Sequence, residues 1–152
     1  MELFWVTEDL AVVSRPRGGD GLATDITRLR NRGVDVLVSC LTPREDAESD
    51  LEDEASAAHA QGMEFVRTPI DDHGVPKGTS VDSAIDELHR ARQAGRRVAV
   101  HCWMGLGRSP LIAAALLITG GMPAKEAIER VSSARGVPVP ETEQQQAWLL
   151  AR

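Results

Sequence analysis

The chain has 152 residues, a length typical of one domain, and its 23 acidic and 17 basic side chains give a formal net charge of -6. This charge argues against the basic surface with which proteins bind nucleic acid or an anionic membrane. No apolar stretch reaches the roughly 18 residues that span a bilayer, and the first nine residues carry acidic but no basic side chains. We therefore predict a single cytoplasmic domain over residues 1–152, without nucleic-acid or membrane partners.

Short apolar runs predict the strands. Leu3–Val6 and Leu10–Val13 flank a polar turn, which is typical of a two-stranded hairpin. Val34–Val38 is continuous and β-branched, as in a strand that is buried on both faces. Two further strands are predicted over Met63–Ile70 and Val98–Val100.

Apolar residues at helical spacing predict helices between these strands. We expect helices from Leu22 to Gly33, from Thr42 to Ala60, from Val81 to Gly95, over Leu111–Ile118, from Pro123 to Gly136, and around Trp148. Thr42-Pro43-Arg44-Glu45 has the pattern of a capping box, and the acidic segment that follows predicts a solvated helical face. Strands alternating with helices predict a three-layer α/β domain with a small, mostly parallel central sheet.

One segment carries most of the chemical information. Cys102 and Arg108 are separated by a glycine-containing loop, with the apolar run Val98–Val100 before it and Leu111–Ile118 after it. The loop is therefore predicted to join a buried strand to a buried helix. Such a loop directs backbone N–H groups and the positive end of a helix dipole at an anion.

The residue types in this loop suit phosphate chemistry. A thiolate at Cys102 is a competent nucleophile, because a helix N-terminus and a nearby cation stabilise that form of a cysteine. The guanidinium group of Arg108 is able to hold two phosphoryl oxygens at once. Gly105 and Gly107 allow the backbone to approach those oxygens, and Ser109 is placed to hydrogen-bond the sulfur.

The leaving oxygen of a phosphate ester also needs a proton. Asp71 and Asp72 are both candidates, because they follow a predicted strand in a loop that contains glycine and proline. Alternatively, Asp71 and Asp72 are solvated turn residues, since aspartate is common in turns.

His101-Cys102-x-x-Gly105-x-x-Arg108-Ser109 resembles the signature of the cysteine-based protein tyrosine phosphatases. The short chain is similar to the compact dual-specificity branch, including its bacterial members. The segment Thr68–Pro76 resembles the general-acid loop of that family, in which the acid lies four residues before a proline. Asp72 matches this spacing to Pro76 and Asp71 does not.

The resemblance implies a role for each matched residue. Cys102 would be the nucleophile, Arg108 the phosphoryl-binding residue, Asp72 the general acid, Ser109 an aid to thiolate release, and His101 a residue that orders the loop. The phosphate-binding residues would be Trp103, Met104, Gly105, Leu106, Gly107 and Arg108. The resemblance implies no metal or organic cofactor.

For several residues the sequence allows two interpretations. Cys40 is either a redox partner that forms a disulfide with Cys102 or a packed strand cysteine, and packing is the simpler interpretation. Gln144 and Gln145 lie where some family members position the hydrolytic water, but Thr142-x-x-Gln145 also predicts a capping box, which we favour.

Arg15 and Arg17 either touch substrate or lie in a solvated loop, and we favour the solvated loop. His59, His73 and His89 have no ligand spacing and are predicted to be solvated.

We therefore expect a protein phosphatase that hydrolyses phosphotyrosine, and also phosphoserine or phosphothreonine, and releases phosphate. The residues between Cys102 and Arg108 are uncharged, which argues against the main rival, a phosphoinositide or other non-protein phosphatase. The second rival is a noncatalytic module that binds phosphoproteins. The presence of Cys102, Arg108 and Asp72 argues against that module.

Overall fold

Five short strands form one central sheet in the order β1-β2-β5-β3-β4: β1 (Leu3–Thr7), β2 (Leu10–Val13), β3 (Val36–Ser39), β4 (Glu64–Arg67) and β5 (Val98–His101). The computed structural model describes residues 1–152. The edge strand β1 is antiparallel to β2, and every other neighbouring pair is parallel. The predicted hairpin and the predicted mostly parallel sheet are both confirmed.

Seven helices connect or follow the strands: α1 (Leu22–Asn31), α2 (Pro43–Glu48), α3 (Glu54–Ala60), α4 (Asp82–Gln93), α5 (Arg108–Thr119), α6 (Ala124–Arg135) and α7 (Glu143–Leu150). None of them combines the length and the apolar character that crossing a membrane would require. Both predicted capping boxes are present, Thr42 with Glu45 at the start of α2 and Thr142 with Gln145 at the start of α7.

The single solvated helix expected from Thr42 to Ala60 is wrong. The chain leaves helical geometry after Glu48, and Leu51 inserts into the core with no exposed surface before α3 begins. Two acidic residues of this segment, Asp46 and Glu54, are buried. They are buried because each has a cationic partner, Arg67 for Asp46 and His101 for Glu54.

Alternate strand residues face two separate apolar layers, as expected for side chains with a period of two. Val36 and Val38 pack with α4, α5, α6 and α7 on one face of the sheet. Leu37 and Ala99 pack on the other face with α1 and α3. The predicted three-layer α/β architecture is therefore confirmed.

Helix α5 lies within the protein rather than on its surface. Every residue from Arg108 to Leu117 is buried, which agrees with the apolar composition of this run. Strands β3, β4 and β5 all end on the same edge of the sheet, because they are parallel. In α/β sheets of this kind, ligands bind beyond that edge.

Candidate active site

The loop that joins β5 to α5 has the geometry of an anion cradle. Cys102 directly follows β5, and Arg108 is the first residue of α5. Gly105 has φ of 75°, a conformation that glycine adopts without strain. The backbone N–H groups of residues 103–107 donate to no acceptor within the chain, so they remain available to an anion above Cys102.

A cavity of about 80 Å³ lies over the sulfur of Cys102. Its lining consists of Asp72, His73, Cys102, Trp103, Met104, Leu106, Gly107, Arg108 and Glu141. Cys102 is only 3% exposed, and its Sγ lies 3.2 Å from the hydroxyl oxygen of Ser109. This places Ser109 within hydrogen-bonding distance of the sulfur.

Arg108 is held by contacts from two parts of the chain, Glu45 of α2 and the loop that contains Ile70 and Asp72. Its Nη1 donates to Oε1 of Glu45 at 2.6 Å and to the carbonyl oxygen of Ile70 at 3.0 Å. Its Nη2 donates to Oε2 of Glu45 at 2.9 Å and lies 3.2 Å from Oδ1 of Asp72. These contacts fix a guanidinium group that is almost wholly buried.

Glu45 is a site residue that the sequence reasoning missed. Its pattern was read only as a capping box, and the structure shows that one carboxylate serves both Thr42 and Arg108. Burial would raise the pKa of Glu45, but hydrogen bonds from Arg108 and from the Thr42 backbone outweigh burial and hold it below its usual value. Burial likewise opposes the charged form of Arg108, yet its contacts with Glu45 raise its pKa above the ordinary value.

The two adjacent aspartates have different surroundings. Asp72 lines the cavity with Cys102, and its Oδ1 accepts a hydrogen bond from the backbone N–H of His73 at 3.0 Å. Asp71 does not line that cavity, and its carboxylate is 3.3 Å from Nζ of Lys77. Of the two, the structure places Asp72 with the nucleophile candidate.

His101 lies beneath the loop and is fully buried. Its Nε2 is 2.5 Å from Oε2 of Glu54, and its Nδ1 is 3.1 Å from the carbonyl oxygen of Cys102. Burial alone would lower the pKa of His101, but the charge of Glu54 and the hydrogen bonds raise it above its usual value. A protonated His101 can donate from both nitrogens, to Glu54 and to the loop backbone.

Gln145 has contacts beyond its capping box. It is fully buried, and its Nε2 donates to the carbonyl oxygen of Gly74, in the loop that carries Asp72, at 3.0 Å. A Cβ added at Gly107 would lie 3.1 Å from the same nitrogen, so Gln145 packs against the cradle. Gln144, in contrast, is exposed.

Cys40 and Cys102 directly follow β3 and β5, which are neighbouring parallel strands of the sheet. Ser39 pairs in register with His101, and the backbone N–H of Cys40 donates to the carbonyl oxygen of His101. Both cysteines are free and belong to the same apolar cluster. Burial, with the nearby Cys102 as a further cause, raises the pKa of the Cys40 thiol far above its usual value.

Arg15 and Arg17 both lie in a loop, as expected, and Arg17 is exposed to solvent, whereas Arg15 is not fully solvated. Arg15 is half-buried, with its guanidinium carbon 3.7 Å from the ring centre of Trp103. Arg17 forms an ion pair with the fully buried Asp25. Aromatic stacking and a buried carboxylate hold these two side chains in place. As predicted, His59 and His73 are exposed, whereas His89 is partly buried.

A parallel-stranded α/β fold with a cysteine, an arginine and unpaired N–H groups around one cavity defines the class of cysteine-dependent phosphatases. Residues 23–151 match the family model described as dual specificity phosphatase, catalytic domain, and the chain belongs to this family. It is similar to cyclin-dependent kinase inhibitor 3 from Sus scrofa, at 31% identity over 82% of this chain and 60% of that protein. A tyrosine phosphatase PRL-1 from Trypanosoma cruzi is 34% identical over 63% of this chain and 55% of its own length.

The chain thus spans roughly half to three fifths of these curated relatives. The fold is also that of a crystal structure of kinase associated phosphatase in which serine replaces the catalytic-site cysteine. That structure superimposes with a TM-score of 0.88 at 22% identity, covering 99% of this chain and 96% of the other.

Proposed function

We propose that this chain hydrolyses phosphate monoesters on proteins, phosphotyrosine above all and also phosphoserine or phosphothreonine. The observation that carries the proposal is the shared cavity of Cys102, Arg108 and Asp72, over a loop whose N–H groups have no acceptor in the chain. A phosphoryl group in this cavity would meet a nucleophile, a buried cation and an acid at once.

In the first step, Cys102 acts as the nucleophile. Its thiolate sulfur forms a bond to phosphorus while the bond from phosphorus to the ester oxygen breaks. Asp72 gives its proton to that departing oxygen, so the protein product leaves as a neutral hydroxyl. Arg108 and the N–H groups of residues 103–107 bind the phosphoryl oxygens, on which charge develops.

In the second step, water attacks phosphorus and the bond between sulfur and phosphorus breaks. Asp72, now ionised, takes a proton from that water, and inorganic phosphate leaves. Ser109 lies 3.2 Å from the sulfur and donates a hydrogen bond to the departing thiolate. His101 serves as a positioning residue, because it contacts the Cys102 carbonyl oxygen rather than the reacting atoms.

The walls of the cavity support a phosphorylated side chain as the substrate. Trp103 is half-buried and Met104 is 57% exposed, so apolar surface is available at the entrance for a ring or an aliphatic stem. No side chain between Cys102 and Arg108 is charged. A highly charged head group would therefore gain little from the loop itself.

One observation favours a second candidate, a phosphoinositide phosphatase. Arg15 and Arg135 bring positive charge to the outside of the loop, because they donate to the carbonyl oxygens of Trp103 and Gly105. A noncatalytic phosphoprotein-binding module has no such support, because Asp72 lines the same cavity as Cys102.

We further propose that residues 1–152 act as one catalytic domain in the cytoplasm, without nucleic-acid or membrane partners. The strands β1 and β2 precede the family match but belong to the same sheet as β5. Cysteines of cytosolic proteins are kept as thiols, and both cysteines of this chain are free. The net charge of -6 supports the absence of polyanionic partners.

Cys40 is proposed as the redox partner of Cys102. Peroxide would oxidise the Cys102 thiolate to a sulfenic acid, and the Cys40 sulfur would displace water from it to form a disulfide. The neighbouring positions of the two residues at the ends of β3 and β5 support this pairing. The burial of Cys40 would slow attack on it from solvent, leaving Cys102 as its reaction partner.

The test is hydrolysis of para-nitrophenyl phosphate and of phosphopeptides that contain phosphotyrosine, phosphoserine or phosphothreonine. Wild type is expected to release phosphate from the aryl ester and from the phosphotyrosine peptide, and Cys102→Ser from neither. A wild-type protein that binds phosphopeptides without hydrolysing them would overturn the proposal. Faster turnover of short-chain phosphatidylinositol phosphates than of any peptide would favour the second candidate.

A further inference from the structure

Two larger pockets adjoin the catalytic cavity and meet at Trp103. The first, of about 480 Å³, is called here the basic side pocket, because three arginines and one carboxylate line it: Arg15, Arg17, Arg135 and Glu2. The second, of about 420 Å³, is called the acidic side pocket, because four carboxylates and one arginine line it: Glu45, Glu48, Asp71, Asp72 and Arg44. The surface beside the nucleophile is therefore electrically polarised.

Two of the three arginines of the basic side pocket, Arg15 and Arg135, have no carboxylate partner within the chain. Arg15 donates to the carbonyl oxygen of Trp103, and Arg135 donates to those of Met104 and Gly105. Neither guanidinium group forms an ion pair with a carboxylate, in contrast to Arg17 with Asp25. Each keeps unused N–H donors, since a guanidinium group has five.

These two arginines are also held in place. Arg15 stacks on the Trp103 ring at 3.7 Å, and Arg135 lies 4.2 Å from the ring centre of Phe4. Stacked guanidinium groups lose less conformational freedom when they bind an anion than free surface side chains do. The basic side pocket is thus prepared for a carboxylate or a phosphate.

The acidic side pocket has the opposite character. Glu48 is half exposed and pairs only with the largely exposed Arg44 one turn away, and Asp71 pairs only with the exposed Lys77. Exposed pairs of this kind are weak and readily exchange partners. A lysine or arginine of a substrate would find carboxylates there.

From this polarity we propose that the enzyme selects phosphopeptides by charge order. An anionic group on one side of the phosphorylated residue lies in the basic side pocket, and a cationic side chain on the other side lies in the acidic side pocket. An extended peptide advances about 3.3 Å per residue, and both pockets adjoin the catalytic cavity, so residues near the phosphorylated one in sequence are those that reach the pockets. The inference rests on the proposed function, because it assigns the substrate class of the same site.

Two phosphotyrosine peptides of identical composition test the proposal. One carries glutamates before the phosphotyrosine and lysines after it, and the other carries them in the reverse order. Wild type is expected to prefer one order by about fivefold to tenfold in kcat/KM, as two exposed ion pairs allow. Raising the salt concentration to about 0.5 M is expected to reduce that ratio.

Substitutions in the two pockets test whether their charged residues cause the preference between the two peptides. Arg15→Gln, Arg135→Gln and Glu48→Lys are each expected to lower the ratio between the two peptides. The matched controls Arg90→Gln and Glu87→Lys, at exposed positions on α4, are expected to leave it unchanged. Using the ratio as the readout separates a change in selectivity from general damage to the loop. A third peptide, with phosphoserines in place of the glutamates, distinguishes carboxylate from phosphate as the preferred anion.

Equal kcat/KM for the two reversed peptides, at measurable turnover, would overturn the charge-order inference and leave the proposed function standing. A ratio that the three pocket variants do not alter would overturn it too. Hydrolysis of neither peptide, together with turnover of short-chain phosphatidylinositol phosphates, would overturn both.

Discussion

Glu45 and Arg108 form a two-point ion pair, with Nη1 to Oε1 at 2.6 Å and Nη2 to Oε2 at 2.9 Å. The pair joins the first turn of α2 to the first residue of α5, and so connects two loops at the carboxyl edge of the sheet. Because the two contacts join both terminal nitrogens of Arg108 to the two carboxylate oxygens of Glu45, they orient the guanidinium group before any phosphate arrives. The Nε–H group of Arg108 has no partner within the chain and is thereby left for the substrate.

Replacing Glu45 with glutamine should weaken catalysis without unfolding α2. Glutamine retains the capping box with Thr42, whereas it loses the charge that fixes Arg108. Hydrogen bonds to charged groups contribute about 1.5–3 kcal/mol, so kcat/KM for para-nitrophenyl phosphate should fall roughly 10- to 100-fold. The control Glu52→Gln, at an exposed position, should retain full activity. Equal activity of the two variants would show that Glu45 does not position Arg108.

The buried pair of His101 and Glu54 should give a pH-dependent contribution to stability. The folded pKa of His101 lies above its unfolded value of about 6.5, so the stabilisation is complete below about pH 6.5 and is lost as pH rises through the folded pKa. Glu54→Gln removes the charge that raises this pKa. The difference in unfolding free energy between the parent and Glu54→Gln should therefore shrink as the pH rises above about 6.5 and through the folded pKa of His101.

Urea unfolding at several pH values measures this difference. A Cys102→Ser background in both proteins removes the active-site thiol from the comparison. A difference that stays constant or grows over this range would contradict the assigned pairing.

The loss of rate on replacing Asp72 should be largest for substrates whose leaving oxygen most requires protonation. Asp72→Asn is expected to lower kcat for a phosphotyrosine ester by about 10²- to 10⁴-fold. The loss should be much smaller for an aryl phosphate whose phenol is strongly acidic, because that oxygen departs without protonation. Asp71→Asn is the comparison, and it should lose far less on both substrates. A larger effect at Asp71 would reverse the assignment.

Gln145 distinguishes the two chemical steps. Its contact with Gly74 O supports a role in holding the Asp72 loop, which acts in the first step. Gln145→Ala should therefore lower the rate most for poor leaving groups and show no burst of product in rapid mixing. A burst followed by slow turnover would instead mean that Gln145 positions the water that hydrolyses the intermediate, the alternative that sequence left open.

Mild peroxide treatment should join Cys40 to Cys102. Wild type is expected to lose two hydrogens in intact mass and to recover activity with a dithiol. Cys40→Ser should go on to the sulfinic form of Cys102 and remain inactive. Wild-type protein that over-oxidises as quickly as Cys40→Ser would leave Cys40 as a packed strand cysteine.

Local patterns predicted much of this molecule. The apolar runs before and after Cys102 correctly predicted the position of the loop, because almost every residue of the two runs is buried and their composition reflects that burial. The capping boxes at Thr42 and Thr142 were also predicted from the sequence, since all their partners lie within three residues.

Contacts between distant segments could not be predicted from such local sequence patterns. Glu54 lies 47 residues from His101 and Glu45 lies 63 from Arg108, and nothing in an acidic segment shows which carboxylates turn inward. Arg15 was assigned to solvent for the same reason, because its stacking partner Trp103 is 88 residues away. Charged side chains in such segments acquire their surroundings only from the tertiary fold.

The central claim is that phosphate passes through the sulfur of Cys102. Rapid-quench mass spectrometry of the protein, mixed with excess para-nitrophenyl phosphate and denatured in acid, tests it most directly. The account predicts a transient gain of one phosphoryl group, located on the peptide that contains Cys102 and absent from Cys102→Ser. Turnover by Cys102→Ser at the wild-type rate, or a phosphoryl group found on another residue, would contradict it.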